Sequence, residues 1–419
     1  MEENKKLFHY AWVIAFICCL MMFTSAGLTS SAFSAVKPYM AEAYGMNQTQ
    51  VGFLTTIRTI ANVASMLPAV FLFKKLSLRW GCTIGMLSAA LAYVFIAIGH
   101  SYTYAALAQI FMGICRTMAG MIGISMLINA WFLKWRATMF GLASCCSGFA
   151  SLIMAPFLAK LFEEHGFSYG SWVTAGILFA FTLLAALALR DNPTKMNMQP
   201  VGVGEVIQER KKKTFERNYL VGKKEIILML GVALLSSMCL THGEINSLNL
   251  VTAGWEKSQT AKVISYYGLF LIIGKFLYGW IADHLPMRKA CLIYYGCLAI
   301  AFYLLGSAGK SWFNMTVLLV ALMIYSMGGA LGTNGLSTFA LDMSPSEEAY
   351  GSTVRNYSLL YNLGAAGLTP IAGALADKTG GYSIAYFMLA AMAIASIVLV
   401  QLAYGSASKK FKEAHADKA

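Results

Sequence analysis

Three basic side chains lie inside long apolar runs of this sequence: Arg58, Arg116 and Lys275. A basic side chain deep in a bilayer costs about 3 kcal/mol on insertion scales, so it is rare unless it lines a cavity or meets an anion. Only one acid, Glu244, clearly lies within such a run, and His242 is two residues before it. Three bases against one acid leave an excess of two positive charges, which predicts a ligand that brings negative charge.

The three cations differ in what they offer an anion. Arginine presents a planar fork that matches a carboxylate, whereas lysine is a point charge. Arg116, near the middle of its run, is predicted to be the main substrate anchor, and Lys275 a second anchor or a charge that responds to protonation and loading. Arg58 is a third candidate, nearer the outer end, where a long side chain can instead reach the headgroups. For Arg116 the structural alternative is pairing with helix carbonyls or with Glu244.

Other polar and aromatic side chains in the apolar runs are candidates for the same site. His242 and Glu244 are predicted to form a proton-coupling pair, since histidine titrates near neutral pH; a merely polar outer mouth is the alternative. The residues predicted to line a substrate cavity, for which ordinary packing is the alternative, are Tyr267, Tyr325, Asn334, Tyr357 and Tyr361.

The composition indicates where these residues lie. The chain has 419 residues, of which 58% are hydrophobic and 12% charged, and its mean hydropathy is +0.62. Soluble proteins carry about 25% charged residues, so most of this chain must lie in lipid. The nine cysteines show no C-x-x-C spacing, and no phosphate-binding loop or hydrolase constellation occurs. We therefore expect an integral membrane protein without metal, cofactor or enzyme activity.

Apolar stretches long enough to cross about 30 Å of hydrocarbon occur six times between residues 10 and 190 and six times between residues 225 and 404. The pattern predicts an all-α membrane protein with twelve transmembrane helices in two six-helix, pseudo-symmetric bundles. The predicted domains are an N-terminal bundle (1–190), a basic cytoplasmic linker (191–224) with a surface helix near 203–215, a C-terminal bundle (225–405) and a cytoplasmic tail (406–419).

Lysine and arginine are unevenly distributed among the connecting segments. With a cytoplasmic N-terminus, the inner segments hold 23 of them and the outer segments hold six, including Lys37. This bias sets membrane orientation, so both termini and the linker are predicted to be cytoplasmic. The formal charge of +13 is then explained by topology and by attraction to anionic lipid, without nucleic acid. The compact loops and short tails favour a bacterial inner membrane.

The segment Gly279–Lys289 carries a glycine, an acid at a helix end (Asp283) and a basic residue in a short turn (Arg288). This segment resembles the signature loop of the major facilitator superfamily. A shift of 209 residues places Lys74 under Asp283, so the N-terminal copy lacks the acid. The residues for which a gating role is expected, rather than substrate contact, are Asp283, Arg288 and Arg355.

The eighth apolar run narrows the resemblance. Its segment Gly274–Trp280 is similar to the pattern of glycine, basic residue, bulky pair, glycine and aromatic residue in the oxalate/formate antiporter and monocarboxylate porter families. In those families the basic residue at the position of Lys275 contacts the substrate carboxylate. Gly364 stands where the oxalate carrier has a second lysine, nine residues after Arg355, so oxalate is a poor candidate.

We therefore expect a secondary active transporter of small organic anions, monocarboxylates above all, which works as a monomer by alternating access. Arg116 and Lys275, one in each half, are predicted to clamp the anion between the halves, with proton symport or exchange for a counter-anion as the driving force. A major facilitator exporter or importer of neutral or cationic small molecules is the alternative, and it predicts acids in the cavity. A third possibility is a membrane sensor that does not transport, and a protein of that kind would be expected to carry a long terminal signalling domain.

Overall fold

The computed structural model describes residues 9–133, 135–202, 219–332, 335–346 and 349–416. Within these ranges the chain is almost entirely helical, and the one pairing of extended residues joins Phe132 to Val201. The surface helix predicted near 203–215 lies outside the described residues. Contacts divide the chain into an N-terminal unit (Met1–Met46 with Ile57–Lys213) and a C-terminal unit (Asn47–Thr56 with Thr214–Ala419).

The helices of the first half follow one another with short connections. They are α1 (Ala11–Met22), α2 (Phe33–Ala43), α3 (Gln48–Leu76), α4 (Leu78–Ile98), α5 (Tyr102–Cys115), α6 (Ile122–Trp131), α7 (Arg136–His165) and α8 (Phe167–Ala188). Two π-helical segments interrupt the first and fourth apolar runs: Phe23–Ser31 joins α1 to α2, and Arg116–Met121 joins α5 to α6.

A short 3₁₀ turn, Pro193–Met196, begins the linker. The helices of the second half are α9 (Lys223–Leu235), α10 (Met238–Thr252), α11 (Lys257–His284), α12 (Met287–Gly306), α13 (Met315–Gly329), α14 (Gly335–Met343), α15 (Tyr350–Thr379) and α16 (Ser383–Ala416). A 3₁₀ turn, Ala330–Gly332, follows α13.

The lengths and apolarity of these helices suit a bilayer. Among the described residues, ten helical stretches are long and apolar enough to cross a membrane, and Met315–Gly329 is a shorter apolar helix. Each of the twelve predicted apolar runs falls on one helix or on consecutive helices. Four runs are broken by π-helical, 3₁₀ or turn residues; at those breaks backbone groups leave the regular α-helical pattern and side chains are re-aimed.

The first turns of α3 pack within the C-terminal unit, although the predicted boundaries placed all of residues 1–190 in the N-terminal bundle. The Asp377 carboxylate accepts hydrogen bonds from the backbone N–H groups of Gln48 (2.9 Å) and Thr49 (2.8 Å) and so caps this helix. A Cβ on Gly52 would lie 2.8 Å from the Cα of Pro370, so only glycine permits this approach of α3 to α15. No local pattern in the sequence predicts this packing.

The last helix continues through most of the residues that were predicted to form a tail (406–419). Helix α16 ends at Ala416, and its last turns are bound to the start of α9. The buried carboxylate of Glu225 accepts hydrogen bonds from Lys410 Nζ (2.7 Å) and from Ser406 Oγ (2.5 Å). It also accepts one from the backbone N–H of Gly222 (2.8 Å), which caps α9.

Polar contacts also tie the start of the linker to the N-terminal unit. Asp191 accepts hydrogen bonds from the backbone N–H of Arg79 (2.8 Å), in the first turn of α4, and from Lys195 Nζ (2.7 Å). Burial disfavours the ionised carboxyl, but these hydrogen bonds outweigh burial, and the pKa of Asp191 is lowered from its ordinary value. The charged carboxylate of Asp191 therefore stabilises the first turn of α4.

Candidate functional site

Arg116 stands at a break in helix geometry within the N-terminal unit. It begins the π-helical segment Arg116–Met121, and Gly120 inside that segment has non-helical angles (φ −94°, ψ −140°). A π-helical turn inserts an extra residue, re-aims the side chains and is frequent at functional sites. The side chain of Arg116 is half-buried. The predicted anchor is therefore positioned by an irregular turn, not by a regular helix face.

The two π-helical segments contact each other, and the first of them carries unpartnered polar atoms. A Cβ on Gly120 would lie 3.5 Å from Ser25 Oγ. The buried atoms Thr24 Oγ1, Ser25 Oγ and Gln109 Nε2 have no hydrogen-bond partner among the described residues. Buried polar atoms are nearly always hydrogen-bonded, so this part of the N-terminal unit is suited to holding water or a polar ligand. The sequence signal that could have identified it is the small, hydroxyl-rich run of the first π-helical segment.

Arg58 is held in the interior of the N-terminal unit instead of reaching towards the headgroups. Its side chain is 2% exposed, and Nη1 donates a hydrogen bond to the carbonyl oxygen of Thr29 at 2.6 Å. The hydroxyl of Tyr93 donates to the neighbouring carbonyl of Leu28 at 2.8 Å. Both carbonyls belong to the first π-helical segment. Arg58, one of the predicted substrate residues, therefore makes at least one structural hydrogen bond.

The polar stripe that follows Arg58 along α3 is engaged in helix packing. Thr117 Oγ1 lies 2.7 Å from the carbonyl oxygen and 2.8 Å from Oδ1 of Asn62. Ser65 Oγ lies 2.6 Å from the same Thr117 hydroxyl. These bonds fasten α3 to the segment that Arg116 begins.

Lys37 is a buried cation that the sequence analysis wrongly placed in an outer loop. It lies on α2 and is 1% exposed. The sequence analysis counted Lys37 with the outer segments, but the structure continues α2 through Lys37 and Pro38 to Ala43. The fully buried basic residues described in the N-terminal unit are thus Arg58 and Lys37, and Lys37 was not among the predicted ones.

Lys275 lies on α11 in the C-terminal unit and is half-buried. The preceding Gly274 packs against the backbone of Ser326, because a Cβ there would overlap the Ser326 carbonyl oxygen. This contact brings α11 and α13 together. It also fixes the position of Lys275 along the helix axis relative to Tyr325 of α13.

His242 lies at the centre of an aromatic cluster in the C-terminal unit. The side chain is 0% exposed, and the ring centroid of Tyr325 is 4.1 Å away. The rings of Tyr267 and Phe302 lie at 5.5 and 5.7 Å. Nδ1 is 2.9 Å from the hydroxyl of Tyr386. The structure thus brings together three of the predicted residues, His242, Tyr267 and Tyr325, and adds Phe302 and Tyr386, which the sequence analysis missed.

Glu244 and His242 are not brought together as one pair. Residues two apart on a helix face different directions, and Glu244 Oε2 instead lies 3.3 Å from Thr55 Oγ1. Both side chains are fully buried. A shared proton-coupling pair therefore requires a group or water that links the two faces of α10.

The remaining predicted cavity residues have different environments. Tyr325 donates a hydrogen bond to the carbonyl oxygen of Cys239 at 3.1 Å. Tyr357 and Tyr361 are both buried on α15, and the Tyr357 hydroxyl has no partner among the described residues. Asn334 lies outside the described residues.

The predicted gating residues lie on three different helices. Arg288 Nε donates to Gln401 Oε1 at 2.9 Å, and Gln401 Nε2 donates back to the Arg288 carbonyl at 2.9 Å. Arg355 is exposed on α15. Asp283 lies on α11, and its side chain is outside the described part of the structure. The described contacts of Arg288 are thus with α16.

A family model described as "Major Facilitator Superfamily" matches residues 15–354. The chain belongs to this superfamily. The computed structure is also similar to that of a D-xylose-proton symporter, with a TM-score of 0.71, 13% identity and coverage of 93% of this chain and 96% of the symporter. At that identity the likeness shows the fold, which confirms the predicted all-α membrane protein with two six-helix bundles.

Known relatives resemble the chain at low identity. Sugar phosphate exchanger 3 of Mus musculus is 24% identical over 317 residues, and the match covers 67% of this chain and 64% of the exchanger. Monocarboxylate transporter 12 of Xenopus laevis is 23% identical over 447 residues, with 96% and 92% covered. A probable L-galactonate transporter of Escherichia coli (strain K12) is 25% identical over 175 residues, with 42% and 38% covered. The family match makes this chain a membrane transporter of small molecules and not an enzyme.

Proposed function

We propose that this protein is a secondary active transporter of small organic anions, with monocarboxylates as the first class to test. The observation that carries the proposal is the half-buried Arg116 and Lys275, each on an apolar helical stretch of membrane-spanning length. A cation at that depth is costly unless an anion or a polar cavity compensates it. A substrate carboxylate that reaches such a cation is bound more strongly than in water, because the local dielectric is low.

The named relatives support an anionic substrate. One is named for monocarboxylates, one for sugar phosphates and one for L-galactonate. All three classes carry a carboxylate or a phosphate that is ionised at neutral pH. Negative charge is their shared chemistry, and it matches the basic side chains of this chain better than a neutral or cationic substrate does.

Each predicted residue has a role in this proposal. The Arg116 guanidinium would bind the carboxylate through two parallel hydrogen bonds, and Lys275 would add a point charge. The residues proposed to shape the site are Arg58, Tyr267, Tyr325, Asn334, Tyr357 and Tyr361. His242 and Glu244 are proposed to couple transport to protons, with exchange for a counter-anion as the other driving force. The proposed gating residues are Asp283, Arg288 and Arg355.

The cellular setting is also proposed. The lysine and arginine bias favours cytoplasmic termini, and we propose a monomer in the inner membrane of a bacterium. Transport would follow alternating access, as expected for a secondary transporter built from two repeated bundles.

A thermal-shift screen of the purified protein tests the substrate class. A ligand that binds only the folded state at 100 times its Kd stabilises that state by about 2.7 kcal/mol. We expect a carboxylate to raise Tm, whereas the matching amine and amide leave it unchanged. The carboxylate shift should vanish in Arg116→Ala and persist in Lys160→Ala, which removes an exposed lysine that pairs with Glu164 in the next turn. Stabilisation by amines or amides alone would instead support the alternative substrate class.

Flux through proteoliposomes tests the anchors. Arg116→Ala and Lys275→Ala should abolish carboxylate counterflow while remaining monodisperse in detergent. Lys275→Arg should retain part of the flux, because arginine keeps the positive charge but changes its shape. Normal counterflow in both alanine variants would disprove the assignment of the two cations.

A further inference from the structure

One face of α10 carries a continuous row of buried polar side chains. His242, Asn246 and Asn249 are separated by four and three residues, so they lie one above another on the same side of the helix. His242 and Asn246 are 0% exposed, and Asn249 is 2% exposed. These three residues are called the α10 polar row. Glu244 lies on a different face and is not part of it.

Two members of the row have unsatisfied hydrogen-bonding atoms. His242 Nε2 and both amide atoms of Asn246, Nδ2 and Oδ1, have no hydrogen-bond partner among the described residues. Each buried polar atom left unpaired costs about 1–3 kcal/mol. These three atoms belong to two residues that are one helical turn apart. Their unpaired state indicates that something small and polar occupies the space between the two side chains. Buried waters serve this purpose in proteins, and each typically makes about three hydrogen bonds.

The crowded surroundings of His242 favour a small occupant. Four aromatic rings, those of Tyr267, Phe302, Tyr325 and Tyr386, have centroids 4.1–5.8 Å from its ring. A water molecule, whose share of liquid volume is about 30 Å³, is the smallest group that can pair with these atoms. A water between His242 Nε2 and Asn246 could accept from or donate to either group, since the amide offers both a donor and an acceptor.

The other end of the row opens into a cleft. Asn249 donates from Nδ2 to the Leu305 carbonyl oxygen at 3.0 Å, and it also lines a cleft of about 260 Å³. Thr252, Tyr382 and Ser383 line the same cleft. The distribution of basic residues predicts that this end of the C-terminal unit is the outer one. The polar row thus leads from an outer cleft to the buried imidazole.

We propose that the α10 polar row holds a chain of bound waters along which protons travel from the outer cleft to His242. The inference rests on the proposed function and names its driving ion, because it requires proton symport and not simple anion exchange. It also assigns Asn246, Asn249 and Tyr386 a role that the sequence did not indicate.

The proton step balances without any redox partner. In one neutral tautomer Nδ1–H donates to the Tyr386 oxygen and Nε2 is a free base. A hydronium ion in the row then transfers its proton to Nε2: one O–H bond breaks, one N–H bond forms, and a water molecule and an imidazolium remain. The Tyr386 hydroxyl oxygen continues to accept from Nδ1–H in the charged form.

The groups around His242 determine how that charge is accommodated. The titratable side chains facing it are Tyr267 from α11, Tyr325 from α13 and Tyr386 from α16, while α12 presents Phe302. On its own helix, Cys239 is one turn earlier and Glu244 faces Thr55. The buried titratable side chains of α15, which also packs against α10, are Tyr357 and Tyr361. Electron-rich rings attract a cation at their faces, and the proposal requires this cluster to hold a transient imidazolium.

Radiolytic hydroxyl labelling in ¹⁸O-enriched water tests the hydration of the row, and it needs no substrate. We expect ¹⁸O to be incorporated at His242 in the wild-type full chain and to be lost in Asn246→Leu, which fills the space and removes the amide. Asn246→Ser, which keeps a polar group, should retain part of the labelling. Thr241→Val is the matched control, because its hydroxyl is also buried and unpartnered but lies off the row. Absence of label at His242 in the wild type would overturn the proposal.

Transport assays test the proton. In proteoliposomes, uptake of a ¹⁴C-carboxylate identified by thermal shift should be driven by an inward proton gradient in wild type and Thr241→Val. The same uptake should fall to the level of empty liposomes in His242→Gln and Asn246→Leu, while carboxylate counterflow persists in Asn246→Leu. Unchanged gradient-driven uptake in both variants would overturn the proton route. Loss of carboxylate counterflow already in the wild type would instead contradict the proposed function, and the labelling result would still decide whether the row is hydrated.

Discussion

Individual charges inside this protein serve at least two purposes. Arg58 and Arg116 have the same side chain, yet Arg58 is fully buried against a backbone carbonyl, whereas Arg116 is half-buried at the start of a π-helical turn. A guanidinium that neutralises exposed carbonyl dipoles contributes to the stability of the fold. One that retains access to polar surroundings is better suited to bind a substrate.

Replacing Arg58 tests its structural part. Arg58→Gln removes the donor to the Thr29 carbonyl, and an unsatisfied buried acceptor costs about 1–3 kcal/mol, so we expect a lower Tm in detergent. Arg355→Gln is the matched control, because Arg355 is exposed and should change Tm little. The measurement is thermal unfolding of both variants without ligand. An unchanged Tm in Arg58→Gln would show that its hydrogen bonds do not stabilise the unit.

Asp191 makes stability depend on pH in a predictable direction. Its folded-state pKa is lowered below the ordinary value of 3.8, so the folded protein favours the ionised carboxyl. The stabilisation is fully present above pH 3.8 and is lost as the pH falls through the folded pKa. We expect the Tm difference between wild type and Asp191→Asn to shrink as the pH is lowered from 6 towards about 3. A difference that stays constant over that range would contradict the assignment.

At the scale of elements, the π-helical segments and the glycines beside them position the chemistry. A Cβ on Gly85 of α4 would lie 2.6 Å from the backbone nitrogen of Ala119, within the segment that Arg116 begins. The close approach of α4 therefore supports this irregular turn. A side chain at that position cannot be accommodated by a rotamer change alone, because the atom it meets belongs to the backbone.

Gly85→Val should therefore destabilise the protein and disturb the turn. Overpacking a tight contact costs about 1–3 kcal/mol, so we expect a lower Tm and a weaker carboxylate-induced shift. Gly141→Ala is the control, since nothing lies within 4 Å of its Cβ position. Differential scanning fluorimetry with and without carboxylate separates the two effects. Equal behaviour of the two variants would mean that the α4 contact does not support the Arg116 turn.

At the scale of the whole molecule, orientation in the membrane decides which ends of the helices face the cytoplasm. The bias of lysine and arginine predicts that the linker faces the cytoplasm and that the connection between α12 and α13 faces outwards. Lys195 in the linker and Lys310 in that connection are both exposed. They are therefore suitable positions for chemical labelling.

Cysteine accessibility measures this orientation. In an active variant without the nine native cysteines, Lys310→Cys should react with a membrane-impermeant maleimide in intact cells, and Lys195→Cys only after permeabilisation. The reverse pattern would invert the topology and would place the cleft of the α10 polar row on the cytoplasmic side.

Much of the architecture was predictable from the sequence because its signals are local. Apolar runs of about 20 residues are long enough to cross a bilayer, and every predicted run falls on helix. The motif at Gly279–Lys289 indicated the superfamily that the family model confirms. The basic residues of the candidate site were visible for the same reason, since a charge within an apolar run stands out from its neighbours.

The surroundings of those residues were decided only by tertiary structure. Lys37 was counted with the outer segments, yet packing keeps it in a buried helix. His242 and Glu244 looked like a pair in the sequence, but helix geometry turns them towards Tyr386 and Thr55, which come from distant parts of the chain. Residue types and apolar lengths are properties of short segments. Burial and hydrogen-bond partners depend on which segments meet, and that is set by the packing of all the helices of a unit.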